Sequence, residues 1–333
     1  MDGARSTCRS RAGAHRPVSH RRVWLAAQAL VTTILLVLLF RGLDVSALRG
    51  LFVRLPVWFY LLSLAVVLAG QVAYAWRWRL LLTAAGVRIP FATVVRQYFV
   101  GVFVNNFLPS TVGGDVAKVY YVGQDHGYRA VTASVAIDRL LGVGLLALIA
   151  AAALWVSPIA ASRLTAAQVA CSGIAVVAIA LLIATSTGTG GLPARVAGLG
   201  ERAVRLAARL QGLRLAMAAP LGRPAIVAQA AVVVIGYALA VTEVYMRFVA
   251  LQHATTPPFM AMLAVVTATM VLSNVPVSLN GLGLREQLHA SLLAPLGISP
   301  EIAVAISLLL YAHLLIASLV GLAFWLQAPG HGR

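Results

Sequence analysis

Two short stretches hold most of the residues that could do chemistry in this chain. The first reads Asn105-Asn106-Phe107-Leu108-Pro109-Ser110-Thr111-Val112-Gly113-Gly114-Asp115, with Lys118 just beyond. The second reads Ser273-Asn274-Val275-Pro276-Val277-Ser278-Leu279-Asn280-Gly281-Leu282-Gly283-Leu284-Arg285-Glu286. Each runs Asn, Pro, Ser, a pair of glycines and an acid, and the two prolines stand 167 residues apart, about half the chain. Proline removes a backbone donor and ends a helix, which frees nearby carbonyls. Glycines let the chain pass close to a ligand. A helix restarting near Asp115 would offer free amides and its positive dipole end to an anion such as phosphate, with Lys118 one turn on. Asp115 itself repels phosphate, so capping that helix or pairing with Lys118 is its expected part. The Gly281-Leu282-Gly283 turn before Arg285 and Glu286 could do the same work from the other side. Neither glycine pair is a nucleotide fingerprint, since no strand precedes it and no Gly-Lys-Ser/Thr occurs.

The elements that must position these stretches are set by lipid. Of 333 residues, 61% are hydrophobic and only 11% charged, with a mean hydropathy of +0.90. A compact globule has nowhere to hide that much apolar surface. A soluble enzyme, a disordered chain and a disulfide-rich module are excluded. Net charge is +17, and all the basic residues but Lys118 are Arg. They sit between apolar runs, which points to membrane topology and anionic headgroups rather than to nucleic acid. Cys8 and Cys171 build no disulfide framework or zinc site, and the His residues show no metal spacing. No metal and no cofactor is expected.

Apolar runs long enough to cross a bilayer cover 24–40, 57–75, 131–155, 168–186, 225–246 and 302–326. The first is expected to be a retained anchor, because no small-x-small cleavage site follows it. Two further stretches, 91–108 and 259–280, are broken or ended by Asn, Pro and Gly. A broken helix survives at membrane depth only beside protein or water, so these are expected to be re-entrant or discontinuous. The fold class is therefore an all-α polytopic membrane protein, with about six full transmembrane helices plus two re-entrant or broken helices in an inverted repeat. Three spans and one re-entrant element per half force the inversion. Paired breaks at matching positions in two inverted halves point to a transporter site at the midplane.

Arg placement puts the N-terminus, the 76–96 loop and the 187–224 loop in the cytoplasm of a multi-pass protein of the inner or plasma membrane. The 41–56 loop, outside by this count, nevertheless holds Arg41, Arg49 and Arg54. The organisation expected is a disordered basic cytoplasmic tail (1–22), one transmembrane domain (23–327) and a C-terminal tail (328–333). Half one is 23–156 and half two 168–327, the latter carrying an amphipathic cytoplasmic segment, 187–224. There Arg202, Arg205 and Arg209 share one helical face, opposite Leu199, Leu206, Leu210 and Leu213. Asp138 and Arg139, at the start of a span, are adjacent and cannot face each other, so each needs its own partner in a polar interior. Glu243 and Arg247 are expected to anchor their span in the headgroup layer. Trp76 and Trp78, with Arg77 and Arg79, read as an interfacial belt and not a site. Asp2, Asp44, Asp125, Glu201 and Glu301 read as solvated charges.

The stretch Phe103 to Lys118, the run Val135-Ala136-Ile137-Asp138-Arg139 and the run Gly281-Leu282-Gly283-Leu284-Arg285-Glu286 resemble the transmembrane flippase domain of lysylphosphatidylglycerol synthases, over about residues 20–327. The resemblance implies a lipid-translocating fold, with inverted halves and re-entrant helices around a central cavity. It departs from the family pattern at Lys118, where Arg is frequent, and at Gly142, where an acid commonly follows the Arg. It departs again at Ser278-Leu279, which replaces a Pro-rich turn. The soluble aminoacyl-transferase domain of full-length synthases is expected to be missing, and with it tRNA-dependent lysine transfer.

The reading that results is a lipid flippase and not an enzyme, translocating a phospholipid or polyprenyl-phosphate-linked lipid. Asn106, Pro109, Gly113, Gly114, Asp115, Lys118, Asp138, Arg139, Asn274, Pro276, Gly281, Gly283, Arg285 and Glu286 would bind the headgroup or gate its path. The rival is a membrane-embedded transferase, or an accessory protein beside a lipid-modifying enzyme, in polyprenyl-phosphate or phospholipid glycoconjugate synthesis. A transferase needs a catalytic acid pair or metal site, and the sequence offers isolated acids.

Overall fold

A continuous apolar run in lipid satisfies its backbone by closing on itself as an α-helix. The computed structural model describes residues 19–107, 113–157, 161–186, 211, 217, 223–251, 257–275 and 277–327, and among them there is no strand. The helices are α1 (Ser19–Arg41), α2 (Val45–Arg54), α3 (Val57–Ala84), α4 (Phe91–Phe107), α5 (Gly113–His126), α6 (Tyr128–Val156) and α7 (Ala161–Ser186). After the 187–222 stretch come α8 (Arg223–Leu251), α9 (Phe259–Ser273), α10 (Leu284–Leu293) and α11 (Pro300–Leu326). Every one of the six expected spans lies in a helix. Four are long and apolar enough to cross a membrane on their own, namely α3, α6, most of α7 and α11. In α8 the apolar stretch that qualifies is the shorter Ala230–Thr242.

The 41–56 segment is not a loop. Asp44 accepts from the amides of Ser46 (2.8 Å) and Ala47 (3.1 Å) and so caps α2, which turns 87° away from α1. On α2 Leu48 is buried against the protein, whereas Arg49 and Arg54 are exposed. Of the three arginines in this segment, Arg41 is thus the exposed last residue of α1, and Arg49 and Arg54 are exposed residues of α2. The described residues begin with α1 at Ser19, and residues 1–18 of the expected tail lie outside them. The amphipathic segment expected at 187–224 falls almost wholly outside the described residues, as do both break prolines, Pro109 and Pro276.

Helix order repeats along the chain. A long span (α3), a broken pair (α4 and α5) and a second long span (α6) are followed later by α8, the pair α9 and α10, and α11. Packing is reciprocal: α4 lies against α11, α9 lies against α6, and α3 meets α8. Two halves related by a two-fold make this exchange of contacts. The larger core joins Leu146, Ala150 and Leu154 of α6 to Ala261, Val265 and Ala268 of α9 and to Ala303–Ile306 of α11. A smaller one gathers Trp78 and Leu82 of α3 with Val94, Val122, Val131 and Val135, which ties α3 to the first broken pair. On the outside, Val169, Val176, Val177, Leu181 and Ile183 of α7 are all exposed, a greasy face that suits lipid.

Candidate functional site

Local rules place the two breaks. In the first, α4 and α5 cross so closely that a side chain on Gly114 would run into the carbonyl oxygen of Gly101. The Gly114 amide, at the N-terminus of α5, donates to Asn105 Oδ1 (2.6 Å). One of the amides that the sequence offers to an anion is thus taken by the protein. In the second break, Asn280 has a left-handed backbone (φ 49°) and sits in a 3-10 turn, Leu279–Gly281. Gly283 ends that break with φ 78°, open to glycine and strained for other residues. Its amide donates to Glu286 Oε2 (2.7 Å), so the third residue of α10 reaches back and caps its own helix.

The two breaks touch. Asn280 Nδ2 donates to Asn106 Oδ1, and Asn106 Nδ2 in turn donates to Ser318 Oγ and toward the Leu314 carbonyl of α11. A cavity of about 400 Å³ opens beside this contact. From the first half it is lined by Asn105, Asn106, Arg77, Lys118, Asp138 and Arg139. From the second half come Ser273, Asn274, Asn280, Arg285 and His289. Among the described residues, four cations and one carboxylate face it.

The charges of the first half are matched to one another. Arg77 Nε donates to Asp138 Oδ1 at 2.7 Å, with both side chains about 7% exposed. Asp115 holds two cations, Lys118 Nζ at 3.2 Å through Oδ1 and Arg139 Nε through Oδ2. The Lys118 ammonium also lies 4.3 Å from the centre of the Tyr98 ring, a cation–π contact. Asp138 and Arg139, which cannot meet on one helix, therefore find partners on α3 and α5. Gly142 has a part in this. A Cβ there would come within 3.0 Å of the Arg77 guanidinium, so the bare glycine leaves the space that Arg77 fills.

The second half is built differently. Glu286 is fully buried; besides capping α10 it accepts from Ser307 Oγ through Oε1 (3.1 Å). The Arg285 Nε is 4.0 Å from that carboxylate, and its guanidinium sits 5.7 Å from the Tyr311 ring. Arg247 of α8, fully buried, donates to the Ile306 carbonyl and Ser63 Oγ (both 3.3 Å) and lies 3.0 Å from His313 Nδ1.

Of the residues singled out in the sequence, Asn106, Lys118, Asp138, Arg139, Asn274 and Arg285 line the cavity. Gly113, Gly114 and Asp115 form the start of α5 behind it, and Gly281, Gly283 and Glu286 hold the turn into α10. Pro109 and Pro276 lie outside the described residues. Arg77 and Trp78 correct the expectation of an interfacial belt. Trp76 is half-exposed as a belt residue should be, but Trp78 is fully buried with its indole N–H on Ser134 Oγ (3.2 Å), and Arg77 faces the cavity. Leu80, Leu81 and Leu82 carry the apolar run past Arg77, the signal that the span does not end at residue 75. Arg247 is likewise no headgroup anchor, being sealed inside the bundle; the Glu243 side chain lies outside the described residues. His289 and His313 gave no sign in the sequence, because a lone histidine in an apolar helix has no spacing to read.

A family model described as the lysylphosphatidylglycerol synthase TM region matches residues 24–322. A UPF0104 membrane protein of Pyrococcus horikoshii is 30% identical over 117 residues, which is 34% of this chain and 34% of that protein. The match thus spans about a third of the length of that curated relative.

Proposed function

The chain belongs to the lysylphosphatidylglycerol synthase transmembrane-region family, and from that premise we propose that it moves a phosphate-bearing lipid between the leaflets of the cell membrane. The observation that carries the proposal is the cavity bordered by both breaks and faced by Arg77, Lys118, Arg139 and Arg285 against Asp138. An ionised headgroup cannot cross bare hydrocarbon at a useful rate, because desolvating it costs far more than thermal energy. A polar pocket between two mobile halves removes that barrier while the acyl chains stay in lipid. The headgroup enters beside the breaks, its phosphate exchanges water for guanidinium and ammonium donors, and rocking of the halves about α3 and α8 exposes it on the other side. The N-terminus is cytoplasmic in this reading. No ATPase motif occurs in the sequence, so a gradient, the membrane potential or mass action supplies the drive.

A membrane transferase on the same lipids would need a carboxylate free to take a proton. Asp115, Asp138 and Glu286 are each held by cations or donors, which favours transport. The test is purified protein in phosphatidylcholine vesicles doped with fluorescent phosphatidylglycerol, with quencher added outside. Wild type is expected to bring the inner-leaflet label out. An Asn106→Cys/Asn280→Cys pair, at the contact between the breaks, is expected to stop that movement when oxidised and release it when reduced. Vesicles in which the label stays protected, with phosphatidylglycerol and polyprenyl phosphate both tried, would sink the proposal.

A further inference from the structure

His289 stands on the face of α10 that borders the cavity, one turn beyond Arg285. It is buried, at 3% exposed, and its two ring nitrogens have different surroundings. Nδ1 lies 3.3 Å from Ser307 Oγ, and that hydroxyl donates to Glu286 Oε1. With its own proton committed to the carboxylate, Ser307 offers His289 an oxygen, so Nδ1 carries the ring proton. Nε2 is then a bare lone pair, and it has no hydrogen-bond partner among the described residues. A buried imidazole nitrogen of this kind at the wall of a polar cavity is a base with room to take a proton.

The charges around the ring decide when it does so. On α10 stand Arg285 and Glu286, and α11 brings Ser307 and, beside Arg285, Tyr311. Arg247 of α8 is close enough to act on the ring. No residue of α9 titrates, and α1 meets this region through Thr32 and Leu35. Across the cavity are Arg77, Lys118, Asp138 and Arg139. While the cavity holds no anion, a positive imidazole is repelled by Arg285, and Glu286 is already held by two donors. An oxoanion on Arg285 reverses that balance. Its charge lies one turn away along α10, and its oxygens accept from a protonated ring.

We infer that the cavity takes up one proton together with its anion, and that His289 Nε2 is where the proton sits. The proton comes from solvent, forms the Nε2–H bond with the ring lone pair and returns to solvent when the anion leaves. No other bond changes. An anion that strengthens the hold on the proton is itself held more tightly, by the same factor, when the proton is there. Its affinity therefore rises as the pH falls, because the occupied site binds more protons than the empty one. One consequence rests on the lipid-moving reading: a singly charged headgroup with its proton crosses as a neutral load. The membrane potential then does no work on it, and a pH difference takes its place as the drive.

The experiment is calorimetric titration of the purified full chain in non-ionic detergent, in pairs of buffers with unequal heats of ionisation, at about pH 6 and about pH 8. The probes are short-chain phosphatidylglycerol and inorganic sulfate, oxoanions that do not titrate in this range, so any proton taken up joins the protein. The buffer dependence of the heat is expected to show about half a proton or more per anion at the lower pH. Binding there should be about twofold or more tighter than at the higher pH. His289→Gln, polar but not titrating, is expected to take up no proton and to bind at both pH values as wild type does at the higher one. His126→Gln, an exposed histidine at the end of α5, should behave as wild type. With histidine labelled in nitrogen-15, the signals missing from His289→Gln should show a bare Nε2 without anion and a protonated one with it. Uptake with sulfate as strong as with the lipid assigns the anion to a soluble species; uptake with the lipid alone, to a headgroup; both uphold the proton site. Heats independent of buffer with both probes overturn it, as does uptake that survives His289→Gln or is lost in His126→Gln. A His289→Gln chain that no longer binds at the higher pH overturns it too, since the histidine then holds the site together rather than a proton. Proton uptake without label movement in vesicles would end the lipid-moving reading and leave the proton site standing, and label movement without uptake would do the reverse.

Discussion

Arg77 and Asp138 allow a quantitative test of whether the interior of this bundle is a charged site or a greasy seam with polar edges. Their 2.7 Å contact corresponds to about 6 kcal/mol of gross attraction at an effective dielectric of about 20. Desolvation takes back much of that, since both side chains are about 7% exposed. Removing one partner leaves the other buried and uncompensated, so Asp138→Asn and Arg77→Met should each cost about 3 kcal/mol or more. The double variant removes both charges together and should cost much less than the sum. A coupling of at least about 2 kcal/mol is expected, above the values of up to about 1.7 kcal/mol found for hydrogen bonds between membrane helices. The assay is reversible unfolding in mixed micelles titrated with SDS, followed by helicity, on the four proteins of the cycle. A coupling below about 0.5 kcal/mol is what a solvated interfacial arginine gives, and it would refute the placement of Arg77 at the cavity.

Gly114→Ala should be disproportionately harmful for one methyl group. The added carbon meets the Gly101 carbonyl oxygen and Asn105 Cγ, so α4 and α5 must separate, at about 2–3 kcal/mol by thermal unfolding. A loss below about 0.5 kcal/mol would mean that the crossing is loose. Glu286→Gln should be nearly silent, within about 1 kcal/mol, because the amide can keep its oxygen on the Gly283 N–H and turn its NH2 to Ser307. Glu286→Leu strands both and should cost about 2–4 kcal/mol. Lipid movement abolished in a stably folded Glu286→Gln protein would show that the carboxylate carries a proton rather than capping a helix.

What the sequence disclosed followed from features that repeat or persist. Apolar runs a bilayer thick became helices, and two stretches sharing Asn, Pro and paired glycines became the breaks that border one cavity. The adjacency of Asp138 and Arg139 required two separate partners, and each has one. What stayed hidden was always a matter of which way a side chain points. Arg77 and Trp78 look like Trp76 and Arg79 in a one-dimensional reading, yet a helix turns 100° per residue and sends neighbours to lipid and to core. Arg247 and His313 meet across 66 positions, a distance no local pattern encodes.

The pairing of the halves carries a last consequence. Asp115 and Glu286 occupy the same place, third residue of the helix after each break, and Lys118 and His289 both follow three positions later. The same arrangement of acid and base at a helix start serves two uses. In α5 the acid is one methylene shorter, and both of its oxygens are on cations. Asn105 takes the Gly114 amide there, and the carboxylate is free to neutralise Lys118 and Arg139. In α10 the acid is one methylene longer and closes on the Gly283 amide, so it cannot also neutralise Arg285 at 4.0 Å as a direct bond would. The reach of each acid thus goes with a difference between the halves: the first pairs Lys118 and Arg139 directly, and the second leaves Arg285 Nε 4.0 Å from its carboxylate. Lengthening the first acid and shortening the second, as Asp115→Glu with Glu286→Asp, should shift phosphate affinity from Arg285 toward Lys118. In calorimetric titration with phosphatidylglycerol, Arg285→Gln is expected to weaken binding in the parent chain and to carry less of a penalty in that background. If the penalty is undiminished there, the asymmetry of the cavity has another origin than the reach of its two acids.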